Sequence, residues 1–138
     1  MTTFDQVYSL FSNLALGVEQ YALPSTIEEQ VNLIQVGVII YNSYMENKIT
    51  MNNEEEQISK EQGESLTSDE VLLLAHCMLL NVYQRIFDEF ASMISVSTKD
   101  LALKDYQYQA KYKMQNVQNE RDIINNLLLK LDDFSVLD

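Results

Sequence analysis

The chain has 138 residues, 46% of them apolar, and a formal net charge of −12 at pH 7. This length suits one domain with its own core, and the apolar content excludes a disordered tail. With 3 glycines and 1 proline, the chain has too few turn residues for a sandwich or a barrel. Its single cysteine excludes an internal disulfide framework.

The charge is distributed unevenly along the chain. Residues 1–84 carry 2 basic and 12 acidic side chains, whereas residues 85–138 carry 7 basic and 9 acidic ones. Such a balance opposes nonspecific attraction to nucleic acid or to anionic lipid. The acidic half is either a solvated surface that keeps the protein soluble, or a surface that repels or imitates nucleic acid.

The first 46 residues predict two helices. Thr3 and Gln6 have capping-box spacing, and apolar residues then recur at helical intervals as far as Val18. A second helix spans residues 25–46, where Ser25 or Thr26 is the expected cap. This helix has two apolar stripes, which predict contacts on two sides: either two neighbouring helices, or one helix and another subunit. The residues assigned to that subunit interface are Leu33, Ile40 and Tyr44.

Residues 47–65 are polar, acidic and without clear periodicity. They predict a long, mobile acidic loop between the second and third helices, of the kind that is usually functional. Its run of Glu54, Glu55 and Glu56 is assigned to an acidic loop face or to the wall of a channel.

The third predicted helix begins with a second capping box, formed by Thr67 and Glu70. Residues 71–82 are apolar almost all round, which predicts a helix at the centre of a bundle. A polar connector then leads to a long fourth helix that ends near Leu131.

Tyrosines alternate with basic residues on the fourth helix. Such interleaving can bind single-stranded nucleic acid, but the net charge opposes it. Tyr108 and Tyr112 are therefore assigned to packing or to a subunit interface.

The last seven residues, 132–138, include Phe134, Val136 and Leu137. These side chains are too many for a solvated terminus and too few to fold alone. They either pack back on their own domain or dock into a partner protein. The predicted fold is thus all-α: a four-helix bundle over residues 1–131, with the acidic loop and an extended C-terminal tail.

The residues that could carry chemistry give no catalytic pattern. His76, the one histidine, lies beside Cys77 on the most apolar helix, which favours core packing for both. Leu73 occupies the position where a di-iron Glu-x-x-His motif needs glutamate, and three glycines cannot supply a phosphate-binding loop. We therefore expect no enzyme activity, no metal and no cofactor.

Residues 66–75 read Leu-Thr-Ser-Asp-Glu-Val-Leu-Leu-Leu-Ala, followed by Met78 and by Ser-Thr-Lys-Asp at 97–100. Together with the opening Met-Thr-Thr-Phe-Asp-Gln-Val-Tyr, this pattern resembles the head–tail connector (adaptor, or neck) proteins of tailed bacteriophages of Gram-positive hosts. The chain departs from many members in having no tryptophan.

The resemblance implies a structural virion protein that forms a homo-oligomeric ring, a dodecamer, beneath the portal and extends the DNA channel. Its partners would be the portal protein, the next neck or tail-completion protein and other copies of itself. DNA would pass nearby without specific binding, and no membrane would be involved. The C-terminal residues Phe134, Val136 and Leu137 would dock into the portal. The protein would reside in the virion neck, and in the host cytoplasm during assembly.

A second function class stays open from the composition. A small acidic phage-encoded inhibitor could mimic DNA and block a host defence protein or another nucleic-acid enzyme. Such a mimic needs carboxylates spaced like phosphates on one ordered face, whereas many carboxylates here fall in the predicted loop.

Overall fold

The computed structural model describes residues 1–96 and 103–136, with side chains for residues 1–92 and 107–131. The described residues are mostly helical, as predicted, and also form a small antiparallel sheet. In chain order, the elements are β1 (Thr2–Thr3), α1 (Phe4–Leu14), a 3₁₀ turn (Gln20–Ala22), α2 (Ile27–Tyr44), β2 (Ile49–Asn52), β3 (Gln57–Lys60), α3 (Ser68–Val96) and α4 (Leu103–Val136).

Both predicted capping boxes are present. At the start of α1, the Gln6 amide donates to Thr3 Oγ1 at 3.2 Å, and the Thr3 amide donates to Gln6 Oε1 at 3.0 Å. Before α3, the Glu70 amide donates to Thr67 Oγ1 at 3.2 Å, and the Thr67 amide donates to Glu70 Oε1 at 2.8 Å. Each box satisfies amides that the first helical turn leaves unpaired.

α1 is shorter than its apolar pattern predicts. The helix ends at Leu14, and Gly17 has a φ of 91°, a conformation that glycine adopts without steric cost. The chain then makes the 3₁₀ turn before Thr26 caps α2 by accepting from the Glu29 amide at 3.1 Å. The apolar residues beyond Leu14, such as Val18, pack against the core from this connection.

The prediction of an irregular loop over residues 47–65 is wrong, because this segment contains the hairpin β2–β3. The sheet order is β1-β3-β2, and Ile58 of β3 pairs with both Thr2 and Met51. Ile49 and Ile58 are fully buried, and these two side chains attach the hairpin to the helical core. Met51 of β2 also packs against the core, but with so few apolar residues on two short strands the sequence shows little periodicity.

α3 lies at the centre of the fold, as its apolar sequence predicts. It packs against α1, α2 and α4, and residues 73–80 are all buried. α4 runs antiparallel to α3 and makes its main contact with it, whereas α1 and α2 also contact each other. At 1.5 Å per residue, α3 is about 43 Å long and α2 about 27 Å, so α3 and α4 extend beyond α2 at the end away from the sheet.

The C-terminal boundary also differs from the prediction. α4 continues to Val136, so the backbone of residues 132–136 is helical rather than an extended tail. The side chains of Phe134 and Val136, and Leu137 as a whole, lie outside the described residues, as does the connector at 97–102.

Candidate assembly surface

Over residues 107–119, the outward side of α4 presents aromatic and amide side chains, and the exposed Asp122 follows three residues after Asn119. Tyr108 and Tyr112 are one helical turn apart and are 79% and 63% exposed. Residues 107–119 include two lysines and no carboxylate, in a chain of net charge −12. We call the exposed surface on this side the α4 tyrosine face; it comprises Tyr108, Lys111, Tyr112, Gln115 and Asn119.

The opposite side of α4 fixes the rotation of the helix and so directs the tyrosine face outward. Val117 and Ile124 have no exposed surface and pack in the core against α3. Lys113 Nζ lies 3.3 Å from Glu19 Oε1 and 5.3 Å from the centroid of the Phe90 ring. Because Lys113 already has these two partners, Lys111 is the freely exposed cation of this part of α4.

A buried side-chain contact joins α3 to α4. His76 Nδ1 contacts Glu120 Oε1, and the two residues are 8% and 3% exposed. The sequence placed His76 in the core but did not identify Glu120 as its partner. Removing either member would leave a buried polar group without its partner, so the pair fixes the register of α4 on α3.

Cys77 and Tyr83 lie near this pair. Burial, and then the charge of Glu120, raises the pKa of Cys77 to about 12 and also raises the pKa of Tyr83. The Cys77 thiol therefore remains protonated at neutral pH, a state that lacks the nucleophilicity of a thiolate.

A polar cluster connects the hairpin to the first turn of α3. Lys60 Nζ of β3 lies 2.8 Å from Glu70 Oε1, and the Tyr41 hydroxyl donates to Glu70 Oε2 at 3.5 Å. Burial opposes ionisation of Glu70, but the hydrogen bonds from Lys60 and from Thr67 outweigh it and lower its pKa. Burial also raises the pKa of Tyr41. The hairpin is thus held to α2 and α3 by a charged group as well as by apolar contacts.

The three consecutive glutamates lie at the turn of the hairpin. Glu54, Glu55 and Glu56 are all exposed, and we call this turn the hairpin tip. The Asn52 side chain accepts hydrogen bonds from the amides of Glu54 and Glu55, each at 3.1 Å. The tip is therefore an ordered turn of the structure.

The hairpin tip and the α4 tyrosine face lie far apart. The hairpin contacts Glu70 in the first turn of α3, whereas Lys113 of α4 contacts Phe90. Twenty helical residues separate Glu70 from Phe90, which corresponds to about 30 Å along α3.

The second stripe of α2 is not a single exposed interface. Leu33 is 4% exposed and belongs to the core, so its assignment to a subunit interface is wrong. Ile40 is half-buried against the same core, and Tyr44 is 42% exposed at the end of α2. The two stripes of α2 arise because α2 packs against α1 and α3 within one chain.

The described residues also line a cavity, and two other features are absent from them. An open cavity of about 650 Å³ lies between residues 20–25, α2 and α3, and its polar lining includes Asn32, Asn81 and Arg85. Within the described ranges, no three His, Cys, Asp or Glu side chains converge as metal ligands. No helix in the described part of the chain combines the length and apolarity needed to cross a membrane.

Comparison with known proteins finds relatives of phage origin. The model of the family described as YomZ prophage protein matches residues 1–133. The chain is 24% identical over 136 residues to the SPbeta prophage-derived uncharacterized protein YomZ of Bacillus subtilis (strain 168). That alignment covers 94% of this chain and 95% of the relative. No solved structure matches the chain.

Proposed function

Because the chain belongs to the YomZ prophage protein family, we propose that it is a structural protein of the phage particle. In this proposal it is a head–tail connector that forms a ring, joins the portal to the tail and extends the DNA channel. Its site of action is the virion neck, and it has no catalytic role.

The α4 tyrosine face is the observation that carries the proposal. Tyr108 and Tyr112 are large amphipathic side chains without a partner along most of their surface. Tyrosine is enriched in the energetically dominant part of protein interfaces. The face also lacks carboxylates in a chain of net charge −12, so it is a surface on which a neighbouring acidic subunit meets little repulsion.

The charge of the rest of the chain suits a channel through which DNA moves. Residues 1–84 carry 12 acidic and 2 basic side chains. An acidic wall does not bind phosphates, so DNA slides past it without being retained.

The C-terminal apolar residues complete the proposal. Phe134, Val136 and Leu137 supply apolar surface for the portal protein, and burying one such side chain is worth about 1.5–3 kcal/mol. Repetition around a symmetric ring would multiply that contribution.

Deletion of the gene from an inducible lysogen tests this function. The connector role predicts DNA-filled heads and separate tails after induction, and normal particles when the gene is supplied on a plasmid. Particles that are complete and infectious without the gene would contradict the proposal. If such particles fail only in hosts that carry a particular defence system, the protein is instead an acidic inhibitor.

A further inference from the structure

We propose that copies of this chain associate head to tail, with the α4 tyrosine face of one copy against the hairpin tip of the next. The inference rests on the self-assembly in the proposed function and names the surfaces that meet. In this inference, Glu54, Glu55 and Glu56 belong to the contact between subunits and not to the wall of the channel.

The two surfaces are complementary in charge. The hairpin tip presents three consecutive exposed carboxylates, whereas Lys111 is an exposed cation in a stretch of α4 that has no carboxylate. Tyr108 and Tyr112 on either side of Lys111 add hydroxyl donors and apolar ring surface. Opposite charges that meet in this way favour one orientation of the two subunits over others.

The position of the two surfaces requires that they come from different copies. The hairpin contacts α3 at Glu70 and this part of α4 contacts it at Phe90, and these two positions are about 30 Å apart along the α3 axis. A contact between different surfaces on identical chains is heterologous, and it produces a closed ring or an open filament according to the rotation at each step.

Both surfaces are already ordered, which lowers the entropic cost of association. Asn52 orders the turn, and the Phe4 amide donates to the Glu56 carbonyl at 2.9 Å. The rotation of α4 is fixed by the His76–Glu120 pair. Tyrosine has few rotatable bonds, so Tyr108 and Tyr112 lose little side-chain freedom on binding.

A second copy suits the α4 tyrosine face better than single-stranded DNA does. Aromatic and basic residues together do bind single strands, but Lys113 is engaged by Glu19. That leaves Lys111 as the exposed cation of the face in a chain of net charge −12. A strand would therefore gain little phosphate neutralisation there.

Cysteine cross-linking in phage particles tests the proposed contact. The double variant Tyr108→Cys/Glu55→Cys should give a ladder of disulfide-linked multimers in particles after mild oxidation. The native Cys77 contributes little background because it is fully buried. The matched control, Lys130→Cys/Glu55→Cys, places the first cysteine on an exposed part of the same helix, remote from the face, and should stay monomeric.

The outcomes separate the two proposals. If the protein is present in particles and the test pair gives no more multimers than the control, the head-to-tail contact is wrong and the connector function stands. If the protein is absent from particles, the connector function fails and the inference fails with it.

A charge exchange provides a second test that does not depend on cysteine. Lys111→Glu alone, and Glu54→Lys/Glu55→Lys/Glu56→Lys alone, should each reduce the yield of infectious particles at least tenfold. All four substitutions together should recover most of that loss, whereas Lys130→Glu should leave the yield unchanged. A combined variant no better than the worse parent would overturn the contact. So would tight binding of a single-stranded oligonucleotide that Tyr108→Ala/Tyr112→Ala abolishes.

Discussion

Gly37 of α2 lies so close to Met78 of α3 that a β-carbon at position 37 would overlap Met78 Cγ. The same β-carbon would make an ordinary van der Waals contact with Leu74 Cδ1 at 3.4 Å, so Met78 is the side chain that would have to move. Glycine inside a helix usually lowers helix stability by roughly 0.5–1 kcal/mol relative to alanine. Here it allows the two helix backbones to approach closely.

Gly37→Ala should therefore destabilise the protein, although helix propensity alone predicts the opposite. Overpacking against Met78 should cost about 1–3 kcal/mol, which exceeds the propensity gain. Urea unfolding would measure the change, with Gln35→Ala on the exposed side of α2 as the control. A Gly37→Ala variant more stable than the wild type would show that α2 and α3 are not in this close contact.

Removing one member of the His76–Glu120 pair should lower the free energy of unfolding. Glu120→Ala removes the hydrogen-bond partner of a buried imidazole, and the free energy of unfolding should fall by about 1–3 kcal/mol. The double variant His76→Leu/Glu120→Leu should recover much of this loss, because apolar residues of suitable size can replace a buried pair. Chemical denaturation of both variants provides the measurement, and a Glu120→Ala variant as stable as wild type would exclude a buried pair.

Glu70 should give the hairpin contact a dependence on pH. Its pKa is lower when folded than its ordinary value of 4.5. Its contribution to stability is thus present above that value and is lost as the pH falls through the lowered pKa. Glu70→Gln should reduce stability by about 1.5 kcal/mol at neutral pH, with a smaller difference from wild type in acid. Asp69→Asn, at the neighbouring position, is the control; an equal effect of Glu70→Gln at all pH values would contradict the ionic role.

The hairpin should show measurable amide protection. The Ile58 amide belongs to the central strand β3, and its side chain has no exposed surface. We expect its hydrogen exchange to be much slower than that of the Glu61 amide, which lies outside the strands. Hydrogen exchange measured by NMR on the free protein tests this. Equal rates at Ile58 and Glu61 would instead support the mobile loop that the sequence predicts.

The features that sequence patterns revealed are local ones. The capping boxes of Thr3 and Thr67 use partners three residues away, and both are present. The central position of α3 also follows from its composition, because residues that are apolar all round a helix must be buried on every side.

The features that the patterns missed depend on distant partners. Each strand of the hairpin has four residues, and β3 is completed by Thr2, which lies 56 positions earlier in the chain. In the sequence, nothing distinguishes Glu120 from an exposed glutamate, because its partner His76 lies 44 residues away. Periodicity shows that Leu33 is apolar but not which chain covers it, so the pattern alone cannot distinguish a subunit contact from the core.

Cryo-electron microscopy of the phage particle tests the central claim most directly. With symmetry-relaxed reconstruction of the portal vertex, we expect a ring of this chain between portal and tail. Adjacent copies in that ring should place Tyr108 and Tyr112 of one copy within contact distance of Glu54, Glu55 and Glu56 of the next. A neck that contains no copy of this chain would contradict the account.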